Sequence, residues 1–257
     1  MTPDFAGLAE LLGMAETAAH AALMVFLRVG AAMALLPAFG EQTVPQRLRL
    51  ILALAFTAIV WPTVAPSFPE TLSLHSAAAE IIAGLALGAV LRLFILALQI
   101  AGVMIAQATS LSQIAGGAAP EPLPAVGHML TMAGLALMVM SGLHVKVAEA
   151  LILSYDVMPA GGFPAASDLA DWGLDHTSRA FGLAFALAAP FTIASMMYNL
   201  ALGAINRAMP ALMVSFIGAP ALSAMGLALL AILAAPLLAV WSDALQEFLA
   251  APFEAPP

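Results

Sequence analysis

Between Ala180 and Ile205 the chain runs without a single formally charged residue. A helix exposed to water turns a charged or polar face outward, and this run has no charge to put there. Several other stretches read the same way, and the whole chain of 257 residues is 63% hydrophobic and only 9% charged. A soluble globular domain carries roughly 25% charged residues. Lipid or partner helices, not water, must therefore cover most of these segments, and the fold class expected is an all-α membrane protein.

The sparse charges exclude several functions. Seven Lys and Arg against fifteen Asp and Glu give a net charge of −8, so no basic surface is available to neutralise a phosphate backbone. No nucleic-acid partner is expected. The chain has no Cys, which removes disulfides, thiolate nucleophiles and Cys-based metal sites. Asp4, Glu10 and Glu16 precede the first long apolar run, where a cleavable signal would be basic, so the N-terminus is expected to be retained.

A crossing helix takes about 20 apolar residues, and Pro, Gly and charge clusters divide the chain into about six such runs. The first spans Thr17 to Leu36 and is closed by Pro37. The second, Leu48 to Trp61, ends at Pro62, and its length of about 14 residues suits an interfacial or protein-buried helix better than an independent span. The third, Ala77 to about Ile114, exceeds one straight crossing at 1.5 Å per residue and must tilt, bend or protrude. Gly116, Gly117, Pro120, Pro122 and Pro124 then break the chain before a fourth run, Ala125 to Leu153. Pro159 to Asp175 reads as the longest aqueous loop. Ala180 to Ile205 is the fifth run, Asn206, Arg207 and Pro210 make a turn, and a last run with natural kink points at Pro220 and Pro236 ends near Leu249. Arg47, Arg49 and Arg207 mark the cytoplasmic side. If the runs alternate, the Asp168–Asp175 loop and both termini fall outside and Gly116–Pro124 falls inside.

Charges at membrane depth are the first functional candidates, because an Arg near a helix centre costs about 2.5–3.5 kcal/mol on insertion scales. Arg28 and Arg92 qualify, and neither has an acid within helical pairing distance. Their partners are expected on other helices or subunits, against the plainer reading that each snorkels to a headgroup or caps a buried carbonyl. Lys146 and Glu149, at i,i+3, can pair along one helix face. The five His show no metal-ligand spacing, and His144 reads as a packing residue before a proton carrier. Ser110, Ser141 and Ser195 lack a local base, and no phosphate-binding loop follows a strand. No catalysis, cofactor or metal is expected. Gly84 and Gly88 form a Gly-x-x-x-Gly face that permits close helix approach, and most of the 15 Met read as packing residues.

The most specific text lies in the last third: Leu187-Ala-Ala-Pro190, Asn199-Leu-Ala-Leu-Gly-Ala-Ile-Asn-Arg-Ala-Met-Pro210 and Ser215-Phe-Ile-Gly-Ala-Pro220. It resembles the signature of the FliR family of flagellar type III secretion. The resemblance continues through Phe26-Leu-Arg28, Pro37-Ala-Phe-Gly40, Val44-Pro-Gln-Arg47 and Ser141-Gly-Leu-His144, nearly the whole chain. Ala211 stands where the family often has Gln, Leu143 where a first His is common, and the Gly116–Pro124 loop lacks the family's acidic-proline start.

That resemblance implies a non-enzymatic subunit of a protein export gate in the bacterial inner membrane, at the flagellar basal body. It would join FliP-like and FliQ-like sister subunits, and an FlhB-like export switch, in a channel for unfolded export substrates. Residues 1–168 resemble the larger sister, 176–250 the small helical hairpin, and 251–257 form a tail. The assembled gate would stand largely above the bilayer plane, with neighbouring subunits covering helices that lipid would otherwise cover. The resemblance also implies a plug in the pore, for which Ile114, Gly116, Gly117, Pro120, Glu121, Pro122, Leu123 and Pro124 are the candidates, with Met104 and Met129 beside them. Asn206, Arg207 and Pro210 are a candidate partner-facing turn. The rivals are the same role in a virulence injectisome and a self-contained secondary transporter or proton channel, whose expected inverted symmetry is not visible in the sequence.

Overall fold

Backbone N–H and C=O groups have no water to bond in an apolar setting, so an apolar chain satisfies them internally by forming helices. The computed structural model of the chain describes residues 5–41, 43–65, 68, 73–109, 125–209 and 214–253. Among these residues there is no strand, and seven helices follow one another: α1 (Phe5–Leu35), α2 (Gln46–Val64), α3 (Leu74–Ala108), α4 (Ala125–Met140), α5 (Leu143–Val157), α6 (Ala166–Ala208) and α7 (Val214–Ala250). Five contain windows long and apolar enough to cross a membrane, and α4 and α5 qualify only together, as one broken span.

Several boundaries depart from the sequence reading, each for a local reason. α1 starts at Phe5, a dozen positions early, because Ala, Leu and Met at 8–15 are strong helix formers that two isolated acids do not interrupt. α2 continues through Pro62 to reach 19 residues, long enough to be a span and not the short interfacial helix expected. A proline in the last turn forfeits one hydrogen bond, and the Ala65 N–H still closes the helix on the Trp61 carbonyl. The fourth run divides at Gly142, whose φ of +77° is left-handed and ends the preceding helix. The presumed aqueous loop is half helical, since α6 begins at Ala166 with Asp168 in its first turn, where a negative charge suits the helix dipole. Pro190, Pro220 and Pro236 all lie inside helices. α3 has its own start signal: the Ser73 hydroxyl accepts from the Ser76 N–H at 3.0 Å, and the Ser76 hydroxyl accepts from the Ser73 N–H at 3.1 Å.

The helices cluster into two compact units, neither continuous in sequence. The first comprises residues 1–92, 141–175 and 248–257. Its α1 buries Ala21, Met24, Val25, Val29, Ala32 and Met33 in an i,i+3,i+4 stripe that Leu36 continues just past its end, and α1 packs on α2, which in turn packs on α5. α3 approaches α1 at the anticipated glycines. A Cβ on Gly84 would collide with the Arg28 carbonyl, and one on Gly88 would lie 2.6 Å from the Ala32 carbonyl oxygen. Pro252 and Phe253, past the end of α7, are tied in as well: the Trp172 indole donates to the Pro252 carbonyl at 3.2 Å and stacks on Phe253.

The second unit comprises residues 93–140 and 176–247. At its centre Trp241 is wholly buried and donates its indole N–H to the Phe94 carbonyl at 2.8 Å. Gly134 of α4 leaves room for the Leu98 side chain and, beside it, for that ring. α3 and α4 touch backbone to backbone, since a Cβ on Gly102 would strike the Cα of Gly127.

Candidate functional site

Arg28 occupies a position in the buried stripe of α1 where every neighbour in register is apolar, and it is 1% exposed. Glu80 occupies the equivalent place in the stripe of α3 and is 0% exposed. Gly84, one turn further along α3, is what lets the two backbones come together at Arg28. Side chains lean toward the N-terminus of their own helix, so a carboxylate four residues before that contact falls beside the guanidinium.

The pair is bidentate. Arg28 Nε donates to Glu80 Oε2 at 2.7 Å, and Nη2 donates to Oε1 at 3.2 Å. Two further guanidinium N–H groups go to the end of α5: Nη1 to the Ser154 hydroxyl at 3.0 Å and Nη2 to the Met158 carbonyl at 2.9 Å. Glu80 also accepts from the Tyr155 hydroxyl at 3.1 Å and from the Gly161 backbone N–H at 2.8 Å. The guanidinium carbon lies 3.7 Å from the centre of the Tyr155 ring. Removing two charges from water costs several kcal/mol per ion, and the loss is recovered only when geometry and the remaining hydrogen bonds are good. Here each carboxylate oxygen accepts two bonds, and four of the five guanidinium N–H groups are engaged. The arrangement fixes three helices in one register and has no nucleophile poised for chemistry.

Arg92 finds its acid in the α1–α2 connection, donating from Nη1 to Glu41 at 2.6 Å, with the two side chains 32% and 24% exposed. The sequence placed partners for both arginines on other helices or subunits. For Arg28 that helix is α3 of the same chain, and for Arg92 the acid lies in a loop. Lys146 and Glu149 do not close the anticipated ion pair; Lys146 is half-buried and Glu149 exposed, and an exposed pair gains too little to hold two long side chains together. His144 is exposed, not packed. Asn206 and Arg207, expected in a turn, are instead helical and stand exposed in the last turn of α6. Ile114, Gly116, Gly117, Pro120, Glu121, Pro122, Leu123, Pro124 and Pro210 lie outside the described residues, as does Ser110. Met104 is half-buried and Met129 exposed.

Glu80, Ser154, Tyr155, Gly161 and Glu41 were not singled out by the sequence. A signal existed for Glu80: it is the one acid in the apolar text from Leu74 to Ala108, as Arg28 is the one Arg or Lys between Thr17 and Leu36.

A second feature is surface the chain leaves uncovered. Only 11% of the apolar window of α7 is buried, and 28% of that of α6. Phe181, Phe185, Ile193, Met196, Met197 and Leu200 of α6 stand exposed, as does Ile232 of α7 at 70%. Such a surface is stable only against lipid or other helices.

The family model of bacterial export proteins, family 1, matches residues 19–248. The chain is 35% identical over 218 residues to the flagellar biosynthetic protein FliR of Caulobacter vibrioides, covering 82% of this chain and 86% of that protein. It is 29% identical over 212 residues to the Escherichia coli protein of the same name, covering 79% and 80% of the two chains. The Bacillus subtilis counterpart is 26% identical over 208 residues, covering 77% of this chain and 80% of its own.

Proposed function

Since this chain belongs to the bacterial export proteins, family 1, and to the FliR family within it, we propose that it is a subunit of the flagellar protein export gate in the bacterial inner membrane. Its partners are FliP-like and FliQ-like subunits, with an FlhB-like switch subunit alongside, and its cargo is unfolded flagellar protein. The match over residues 19–248 carries this reading. The uncovered faces of α6 and α7 support it, because a chain made to be completed by neighbouring helices leaves such faces open. Residues 1–168 would play the part of a FliP-like protomer and residues 176–250 that of a FliQ-like hairpin. The relatives above all carry a flagellar name, which favours the flagellum over an injectisome. The segment 114–124 would form the plug, and Asn206 and Arg207, exposed in the last turn of α6, would face cytoplasmic partners.

The test is copurification. A tagged chain expressed with its genomic FliP-like and FliQ-like neighbours should retain both through detergent extraction and size exclusion. Migration of the tagged chain alone, with both candidates present in the same membranes, would contradict the gate reading.

A further inference from the structure

We propose that Arg28 and Glu80 act together as a directional lock that seats the α5–α6 turn, residues 158–163, on α1 and α3. The lock is internal to the chain and does not depend on the gate reading.

The groups facing the ion pair differ in kind on its two sides. Arg28 has donors only and Glu80, as a carboxylate, acceptors only. On the Arg28 side, the Met158 carbonyl accepts, and the Ser154 hydroxyl accepts because its own proton is committed to the Leu151 carbonyl at 2.6 Å. On the Glu80 side, the Gly161 N–H and the Tyr155 O–H donate. Exchanging the two charges would set donor against donor and acceptor against acceptor while leaving the net charge unchanged.

The turn itself depends on these contacts. Met158 stands just past the end of α5, so its carbonyl has no acceptor role in that helix. Gly161 has a φ of +72° in a tight turn closed by the Gly162 N–H on the Pro159 carbonyl at 3.1 Å. The ion pair thus supplies the partners for the carbonyl of buried Met158 and for the Gly161 N–H in a half-buried turn, groups that packing against α1 and α3 cannot leave open. Beyond the turn, the Phe163 ring meets His75, in the first turn of α3, edge to face at 4.6 Å. α1 and α3 can pair their charges alone, yet two carboxylate bonds and two guanidinium bonds stay unmade until α5 and its turn arrive.

The chain has no Cys, so His75→Cys with Phe163→Cys in the full-length protein gives a single thiol pair that reports on the seated turn. In isolated membranes, a short bismaleimide should bridge the two thiols efficiently in the parent background. Arg28→Lys keeps the charge and loses the fork, and Arg28→Glu with Glu80→Arg keeps the charges and reverses the direction. Both should cut bridging by about five-fold or more at equal protein level. Arg92→Lys, outside the cluster, should leave it unchanged. Parental bridging in either Arg28 variant overturns the proposal and reduces the pair to charge neutralisation. If neither variant accumulates, Tyr155→Phe decides: a fall of about two-fold or more supports the lock, and parental bridging overturns it.

Discussion

Gly84 and Gly30 sit on facing helices and make a matched pair of tests. A Cβ at Gly84 meets the Arg28 carbonyl, whereas one at Gly30 meets nothing within 4 Å. Gly84→Ala should destabilise by about 1–3 kcal/mol, because α3 must retreat from the place where its carboxylate meets Arg28. Gly30→Ala should be neutral or gain a few tenths of a kcal/mol from helix propensity. Thermal denaturation in mild detergent distinguishes them. The partly exposed Arg92–Glu41 pair is a different case, and a double-mutant cycle on it should return no more than about 1 kcal/mol. The Gly84–Gly88 spacing was legible in the sequence because a four-residue repeat is local information. The Arg28–Glu80 bond was not, because its partners stand 52 positions apart and only the crossing of α1 and α3 brings them together. Ser154 and Tyr155 were less legible still, since a serine and a tyrosine in an apolar run carry no mark of the charge they serve.

At the scale of the element, the breaks were harder to read than the helices. The apolar text shows where helix is obligatory, yet Pro62, Pro190, Pro220 and Pro236 do not end theirs, while Gly142 does divide a run that reads as continuous. The difference is backbone conformation: a proline in a packed helix forfeits one bond, but a residue at φ +77° cannot continue the helix at all. Gly142→Ala should therefore cost about 1–2 kcal/mol despite open space around it. Gly203→Ala, in the helical body of α6 with equally open space, should cost nothing. Limited proteolysis of solubilised protein at increasing temperature compares the two. The Ser73–Ser76 cap predicts that Ser73→Ala loosens the start of α3 by about 1 kcal/mol, visible as faster amide exchange in its first turn and not in its middle.

For the molecule as a whole, the sequence conveyed class and setting, and the family match extends over most of its length. Its division into units was not legible along α3, which passes from one unit to the other after Arg92 without a break in its apolar text, whereas along α6 the three acids of residues 166–175 give way to a mostly apolar run where the second unit begins. The uncovered apolar faces of α6 and α7 were legible only as an excess of apolar residues; which of them stay exposed depends on packing around Trp241 and Phe191. On the proposed gate assignment, helices of other subunits cover those faces. A photo-crosslinking amino acid at Ile232, 70% exposed on α7, tests this in cells that express the FliP-like and FliQ-like neighbours. Irradiation should yield adducts of this chain with one of those subunits, lost when the neighbours are deleted. Adducts with lipid alone, unchanged by the presence of the neighbours, would contradict the claim that the chain is a subunit completed by its partners.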